Sequence, residues 1–361
     1  MPVATAAVVL RSVDAPPQLE EIELRDPGPG EVLVRIRAAG ICGTDLSRVE
    51  RGDPRMPMVL GHEGAGVVER VGAQVSSVSV GDQVVLNLAP LCGRCSYCRR
   101  GLPNLCTSTP RDGSLLTGPT PASSSGDPIA VMAGAGCFAE HVVVSAASVL
   151  VVPDALPPHV AAVIGCAVIT GFGAVASSPE VRPGTRGAIL GFGGVGASAL
   201  QAARLQGADE VWAIDPSSER RRLAASFGAT GVVHPDEAAD PLSGRELEDG
   251  LDWVVVAAGQ TSAVNLGLRL LAPRGVAVVI GGGHGPHDLD LGRVVEGERV
   301  LRGSSYGTLP PTEIVPRIVD SYLSGELALD RLVTERIPLS SIEYALTAAR
   351  ASAGLRVVLN P

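Results

Sequence analysis

A cysteine, a histidine and two carboxylates stand close together near the start of the chain. The stretch GICGTDLSRVERGDPRMPMVLGHEGAG contains Cys42, Thr44, Asp45, His62 and Glu63. A thiolate and an imidazole are common zinc ligands, and carboxylates often orient such ligands from behind. The stretch alone predicts only part of a metal site, because a third ligand has to come from elsewhere in the chain.

Four further cysteines form a denser cluster in the segment LCGRCSYCRRGLPNLC. They are Cys92, Cys95, Cys98 and Cys106, spaced C-x2-C-x2-C-x7-C. The short spacings let thiolates converge on one tetrahedral ion, and the longer loop brings in the fourth. An iron–sulfur cluster uses similar spacings, so the segment alone leaves both alternatives open. Four thiolates would leave zinc without an open position, which predicts a structural role for a zinc site here.

A glycine-rich turn follows a predicted strand in the second half of the chain. The segment GAILGFGGVG leads into a helix, and a second strand, EVWAID, ends at Asp215. The residues of this turn that we assign to cofactor binding are Gly191, Gly193, Gly194, Val195 and Gly196. This pattern is the dinucleotide fingerprint, in which the pyrophosphate approaches backbone N–H groups at a helix N-terminus. A carboxylate at Asp215 can hold the ribose diol and repels a 2′-phosphate, which favours NAD over NADP.

Composition limits the class of protein. A length of 361 residues predicts two domains, and 45% hydrophobic with 19% charged residues is typical of a globular chain. The net charge of -9 argues against nucleic acid or an anionic membrane surface as a partner. No apolar run comes near the roughly 18 residues needed to span a bilayer, and the N-terminus lacks a signal-peptide pattern, so we expect a cytoplasmic protein.

Two counts narrow the chemistry further. All 29 basic residues are arginine, so Schiff-base catalysis, a pyridoxal-phosphate linkage and a P-loop, which each need a lysine amine, are excluded. The 7 cysteines are an odd number, which disfavours a disulfide framework in a chain without a secretory signal.

The pattern of predicted elements changes once along the chain. The first 150 residues alternate as short antiparallel strands, interrupted by a predicted long surface loop over residues 107–136. The apolar segment HVAAVIGCAVITGFGAVASS predicts a helix that carries Cys166. Beyond it, six strands alternate with helices, as in a doubly wound parallel sheet. The C-terminal part, which ends in the strand LRVVLN, is expected to return to the first domain.

Taken together, these motifs resemble the zinc-dependent medium-chain alcohol dehydrogenase family over nearly the whole chain. The class III-like and aryl-alcohol-like bacterial enzymes are the most similar subgroup. The resemblance implies an α/β fold, with a GroES-like, β-rich catalytic domain at residues 1–167 and 306–361 and a Rossmann domain for NAD at residues 168–305.

The resemblance also implies roles for individual residues. It implies Cys42, His62 and Cys166 as catalytic zinc ligands, with Glu63 behind the metal and Asp45 beside the His62 ring. Thr44 would contact the substrate oxygen and begin proton removal. Cys92, Cys95, Cys98 and Cys106 would hold a second, structural zinc. The cofactor-binding set comprises the turn glycines with Val195, and in addition Asp215, Arg220, Ile280 and Arg356.

The implied reaction is hydride transfer between an alcohol and NAD, with zinc as Lewis acid. We expect a primary alcohol, aryl or bulky, and its aldehyde. The alternatives are a cyclitol, sugar or other secondary alcohol dehydrogenase, and a non-catalytic relative that kept the fold. Ser47 stands where many relatives carry a relay histidine, and it cannot act as a base near neutral pH. The 107–136 segment resembles that of dimeric members, which favours a homodimer.

Overall fold

The computed structural model of the chain describes five ranges of residues: 2–107, 122–238, 250–281, 286–351 and 354–361. These residues form two compact units, which we call unit 1 (Met1–Cys166 and Pro310–Pro361) and unit 2 (Ala167–Leu309). The sequence predicts domain boundaries after residues 167 and 305. The boundaries of the two units lie one residue earlier, after residue 166 (167 against 166), and four residues later, after residue 309 (305 against 309).

Unit 1 contains a small closed β-barrel. Its strands, in the order in which they pair, are β1 (Val3–Leu10), β2 (Gln18–Leu24), β7 (Ala122–Ser124), β8 (Asp127–Val131) and β4 (Met58–Val59). The sequence VATAAVVL of β1 pairs antiparallel with β2 along seven residue pairs, from Val3 with Leu24 to Val9 with Gln18. The inner side chains of β1 are fully buried, which gives the barrel its core.

A second sheet of unit 1 holds the long strands. In pairing order they are β10 (Val149–Val151), β6 (Gln83–Leu86), β5 (Glu63–Val71), β3 (Glu31–Gly40), β18 (Arg356–Asn360) and β17 (Val333–Pro338), with β9 (His141–Ser145) also paired to β3. Strand β5 begins at Glu63, directly after His62, and pairs at Glu63 with Gly40 at the end of β3. The ends of β3 and β5 therefore place the two halves of the first motif side by side.

Short helices and turns connect these strands. The α-helices of unit 1 are α1 (Gly43–Arg51), α2 (Ser96–Arg99), α3 (Pro158–Val163), α9 (Pro311–Leu323) and α10 (Ile342–Arg350). The 3-10 turns are Pro103–Leu105, Met132–Gly134, Ala146–Ser148, Leu329–Leu332 and Leu339–Ser341. In sequence, α3 continues through a π-helical turn (Ile164–Val168) into α4 (Ile169–Ala176), and the boundary of the two units falls in this turn.

Unit 2 is a six-stranded parallel sheet. Its strands, in pairing order, are β13 (Gly231–Val233), β12 (Glu210–Ile214), β11 (Arg186–Leu190), β14 (Leu251–Val256), β15 (Leu271–Val279) and β16 (Val300–Gly303). Among the described residues of unit 2, the helices after α4 are α5 (Gly194–Leu205), α6 (Ser218–Ser226), α7 (Thr261–Leu270) and α8 (Leu291–Glu296), with a 3-10 turn at Pro235–Glu237. In chain order the strands lie 3-2-1-4-5-6, so the predicted doubly wound fold is confirmed.

Two expectations from the sequence are wrong. Residues 122–136 are not part of a surface loop, because β7 and β8 form a hairpin whose residues Ile129 and Val131 are buried; residues 108–121 lie outside the described part of the chain. The expectation that no apolar segment is long enough to span a bilayer is also wrong, because the helix Pro158–Ala176 could do so by length and composition. However, 78% of its most apolar window is buried inside the protein.

Candidate active site and cofactor cavity

Cys42 stands at the N-terminus of α1, where Asp45 fixes its backbone. The backbone N–H of Cys42 donates to Asp45 Oδ2 at 2.8 Å. An acidic side chain in the first turn of a helix satisfies an otherwise unpaired N–H and suits the positive end of the helix dipole. The other oxygen, Asp45 Oδ1, lies 3.2 Å from His62 Nδ1. One buried carboxylate therefore orients both Cys42 and His62.

His62 reaches this position through a turn that only glycine fits. Gly61 has a φ of +92°, and a Cβ there would lie 2.6 Å from the backbone nitrogen of Phe138. Both the left-handed backbone and the close approach require the absence of a side chain. His62 itself is 3% exposed, and its Nδ1 faces Asp45 so that Nε2 is turned towards the thiols.

Cys166 joins this pair from the π-helical turn Ile164–Val168. Its Sγ lies 4.0 Å from Cys42 Sγ and 3.6 Å from His62 Nε2. Bonds of about 2.3 Å to sulfur and 2.0–2.1 Å to nitrogen in a tetrahedral zinc site separate such atoms by about 3.6–3.8 Å. The three donors, which all belong to unit 1, therefore have the spacing of ligands to one ion. π-helical turns are frequent at functional sites because they re-aim a side chain.

Glu63 is a fourth donor within reach of the same point. Its carboxylate and the donor atoms of the other three residues all lie within 4.8 Å of one another. Glu63 is fully buried, and its Oε2 accepts from Arg356 Nε at 3.2 Å. Among the described residues its Oε1 has no hydrogen-bond partner. Arg356 pairs with Oε2, whereas burying Oε1 without a partner costs free energy, and a cation bound beside Oε1 would remove that cost.

The shifted pKa values of these four side chains also bear on whether the cluster could hold a metal ion. The hydrogen bond with Cys166 lowers the pKa of Cys42 well below its usual value, and the same bond raises the pKa of Cys166. Burial by itself would lower the pKa of His62, but Asp45 and Cys42 together raise it well above its usual value. Burial raises the pKa of Glu63 to about 7. Cys42 therefore loses its proton readily while Cys166 and His62 hold theirs, and a divalent metal ion would compete with those protons for the donor atoms. The donor set therefore fits zinc.

The four clustered cysteines also converge. Cys92 Sγ lies 4.0 Å from Cys98 Sγ, Cys95 Sγ lies 4.0 Å from Cys106 Sγ, and all four sulfurs lie within 4.8 Å of one another. Backbone N–H groups of the x2 turns donate to sulfur, from Cys95 to Cys92 at 3.3 Å and from Cys98 to Cys95 at 3.4 Å. The N–H of Cys98 lowers the pKa of Cys95 to about 5. The spacing matches a single ion with bonds of about 2.3 Å and leaves no room for a multi-atom iron–sulfur cluster.

Unit 2 carries a cavity of about 550 Å³ at the carboxyl ends of its strands. Gly191, Gly193, Asp215 and Arg220, all predicted cofactor residues, line it. A Cβ at Gly196 would lie 2.0 Å from the Gly191 carbonyl oxygen, so the turn can close only with glycine at that position. In an open α/β sheet such a crevice beyond the carboxyl ends is the usual ligand site.

Asp215 is already engaged in the structure. It is 2% exposed; its Oδ2 accepts from the Phe192 N–H at 2.7 Å, its Oδ1 accepts from the Ser217 N–H at 2.8 Å, and Arg220 lies 3.8 Å away. Each carboxylate oxygen has a second lone pair, so the side chain can still accept from a ligand. The backbone contacts hold it rigidly at the cavity wall.

Not every predicted residue lines this cavity. Gly194, Val195 and Gly196 form the first turn of α5, and Ile280 follows β15 with its N–H bonded to Val256; none of the four is on the cavity lining. Arg356 belongs to unit 1, where it pairs with Glu63. Sequence reasoning missed lining residues that belong to no motif: His234, Asp236, Gln260 and Arg269.

Comparison with known proteins agrees with this arrangement. The family model of the alcohol dehydrogenase GroES-like domain matches residues 28–154, and that of the zinc-binding dehydrogenase matches residues 194–322. The chain is 34% identical to "Alcohol dehydrogenase class-3" of Myxine glutinosa, over 98% of this chain and 96% of that protein.

Two crystal structures are similar over almost the full length. An alcohol dehydrogenase zinc-binding domain protein from Burkholderia ambifaria has a TM-score of 0.93 and 32% identity, and covers 100% of this chain and 99% of its own. Benzyl alcohol dehydrogenase from Acinetobacter calcoaceticus has a TM-score of 0.90 and 28% identity, and covers 99% of both chains.

Fold and site together define a zinc-binding oxidoreductase with a GroES-like domain and a Rossmann-like domain, and the predicted family is confirmed. The chain belongs to the zinc-dependent medium-chain alcohol dehydrogenase family.

Proposed function

We propose that this protein is an NAD-dependent dehydrogenase that interconverts a primary, aryl or bulky alcohol and its aldehyde. The observation that carries the proposal is the convergence of Cys42, His62 and Cys166 within zinc-ligand distances, although Cys166 is 124 residues from Cys42 in sequence. A non-catalytic relative would have no need to keep all three donors within ligand distance of one ion.

The two metal sites would have different roles. Cys42, His62 and Cys166 would hold one zinc with an open position, and Cys92, Cys95, Cys98 and Cys106 would hold another with none. Zinc at the open site supplies Lewis acidity that lowers the pKa of a bound alcohol, and NAD supplies the hydride acceptor. Removal of the proton and binding of the cofactor would depend on side chains of the protein itself.

Thr44 is the residue proposed to receive the alcohol proton. It lies two residues after Cys42, its side chain is exposed, and its Oγ1 is 3.7 Å from Cys42 Sγ. Ser47 follows three residues later on α1, and it has no group that ionises near neutral pH. The proton would therefore leave Thr44 through hydroxyl groups to water, without a titrating relay at residue 47.

On the cofactor side, Asp215 would hold the adenosine ribose and disfavour a 2′-phosphate, which supports NAD. The N-terminus of α5, after Gly191 and Gly193, would receive the pyrophosphate. Arg220, beside Asp215, would lie along the ribose. Arg356 pairs with Glu63 within unit 1, and its predicted role in cofactor binding stays a prediction.

The proposed homodimer has a candidate surface in unit 2. In the part of the chain that the structure describes, the outer edge of β16 pairs with no further strand. Two apolar side chains of β16 are exposed, Val300 (41%) and Leu301 (37%). Exposed apolar edge strands in stable proteins are usually covered, here by a second copy of the chain.

Two measurements test the function together. Metal analysis is expected to find two zinc ions per chain, and one or none would contradict the proposed catalytic site. A panel of primary, aryl, secondary and cyclitol alcohols, followed by NADH absorbance with NAD and NADP in parallel, is expected to favour a primary or aryl alcohol with NAD. A clear preference for a cyclitol or sugar would contradict the proposed substrate class.

A further inference from the structure

The cavity of unit 2 has a polar corner that no sequence motif indicated. His234, Pro235 and Asp236 line it, directly after β13. Strand β13 is parallel to β12, with Val233 paired to Ile214. Neighbouring strands lie about 4.8 Å apart, so the residues that follow, His234 and Asp215, are neighbours at the carboxyl edge of the sheet.

The His234 ring is held in one orientation. Its Nδ1 accepts from the backbone N–H of Asp236 at 3.2 Å. A backbone N–H can only donate, so Nδ1 is the acceptor of this hydrogen bond, and we assign the proton of the neutral ring to Nε2; Asp236 Oδ2 lies farther from Nδ1, at 3.5 Å. Nε2 is on the opposite edge of the ring from the 235–236 turn. The side chain is 32% exposed and lines the cavity, so the Nε2–H is available to a ligand there.

Other lining residues of the cavity are partly apolar. Ala263, Leu266 and Arg269 follow one another at three-residue spacing on α7, and all three line the cavity. Residues three apart on a helix lie on one face. Pro216, which follows Asp215, adds another apolar side chain to the cavity lining. Apolar side chains of this kind would pack against the face of a planar heteroaromatic ring, and a ring nitrogen with a lone pair would complement an N–H donor.

We propose that His234 recognises the adenine base of the dinucleotide, by donating from Nε2 to an acceptor nitrogen of the ring. The inference rests on the proposed use of this cavity for NAD. Asp215, after β12, binds the ribose of the adenosine, and His234, after the neighbouring strand β13, binds its base. His234 is thus a cofactor-affinity residue that acts on the adenosine half alone.

The test is binding, measured on the full-length protein by calorimetry with AMP and ADP-ribose and by NADH fluorescence. His234→Phe keeps a planar aromatic ring without a donor, and His234→Gln keeps an N–H at a similar reach. We expect His234→Phe to weaken binding of AMP, ADP-ribose and NADH by about 5–10-fold, the effect of one net hydrogen bond. We expect His234→Gln to stay within about 2-fold of the wild type, on the same reasoning.

Controls separate this inference from the function on which it rests. Nicotinamide mononucleotide, which lacks adenosine, should bind equally to the wild type and to His234→Phe. His159→Phe makes the same change in unit 1 and should alter none of these affinities. If the wild type bound neither AMP nor NADH, the cofactor assignment and this inference would both fail. If it bound both, and His234→Phe bound AMP equally well or His234→Gln bound it as weakly as His234→Phe, the inference alone would be overturned.

Discussion

The carboxylate of Glu63 and the guanidinium of Arg356, 293 residues apart in sequence, form a buried ion pair beside the two thiols. Burial alone would lower the pKa of Arg356, but Glu63, Cys42 and Cys166 raise it above its usual value. The Arg356 side chain is 10% exposed, and that of Glu63 is not exposed at all. This pair joins the start of β18 to the start of β5 directly behind the proposed zinc ligands.

Arg356→Met should destabilise the protein, because Glu63 loses its partner in the interior and must either stay charged there or take up a proton. Removing one partner of a buried ion pair costs about 3–5 kcal/mol. Adding Glu63→Gln should recover much of the loss, because no uncompensated charge remains. Thermal unfolding of the two single variants and the double variant measures the coupling. Additive effects in the double variant would argue against a direct interaction.

Asp45→Asn should weaken the proposed catalytic zinc site more than the fold. Asp45 orients both Cys42 and His62, and loss of such an outer partner costs about 10–100-fold in metal affinity or activity. Competition with a chelator measures the affinity, and the rate of alcohol oxidation measures the activity. Asp26→Asn is a matched control, since the Asp26 side chain is exposed and pairs with Arg70, away from the proposed zinc ligands. Unchanged zinc affinity in Asp45→Asn would contradict the assigned role.

Cys106→Ser should remove one zinc ion per chain and leave the other. Cys106 is fully buried, and the remaining three sulfurs would hold an ion less tightly. The melting temperature should fall by about 2–4 °C for each 1 kcal/mol lost. Cys137→Ser is the control, because Cys137 is equally buried and belongs to neither ligand set. Retention of both ions in Cys106→Ser would refute the structural site.

Asp215→Asn should reduce the preference for NAD over NADP. The amide keeps one acceptor oxygen but loses the charge that repels a 2′-phosphate, and a hydrogen bond to a charged group is worth about 1.5–3 kcal/mol. We expect the ratio of kcat/KM for NAD to that for NADP to fall by about tenfold or more. Asp236→Asn is the control, since that carboxylate is on the same cavity but 88% exposed. An unchanged ratio in Asp215→Asn would place cofactor selection elsewhere.

Leu301→Glu should convert the proposed dimer into monomers. A charge on the exposed edge of β16 opposes both apolar contact and strand pairing between copies. Sedimentation velocity measures the mass of the wild type and the variant. Val80→Glu introduces the same charge at an exposed apolar residue of unit 1 and should leave the mass unchanged. A dimer that survives Leu301→Glu would point to a different interface.

Features with local causes could be read from the sequence. The strand Val3–Leu10 follows from its short, valine-rich apolar sequence, and the Cys92–Cys106 cluster follows from spacing that lets nearby thiolates converge. The fingerprint around Gly191 follows because a turn between strand and helix needs glycine in fixed places. The alternation of strands and helices in the second half was enough to predict the six-stranded sheet.

Other features depend on contacts that no local pattern encodes. The β7–β8 hairpin was missed, since its short polar strands resemble a loop until they pair with β2 and β4. From the residues themselves Cys166 could be a small core side chain; only the π-helical turn brings it to Cys42 and His62. The contacts of His234 with the cavity and of Glu63 with Arg356 likewise depend on strand order. Composition and periodicity act over a few residues, whereas a site assembled from distant segments exists only after the sheets have formed.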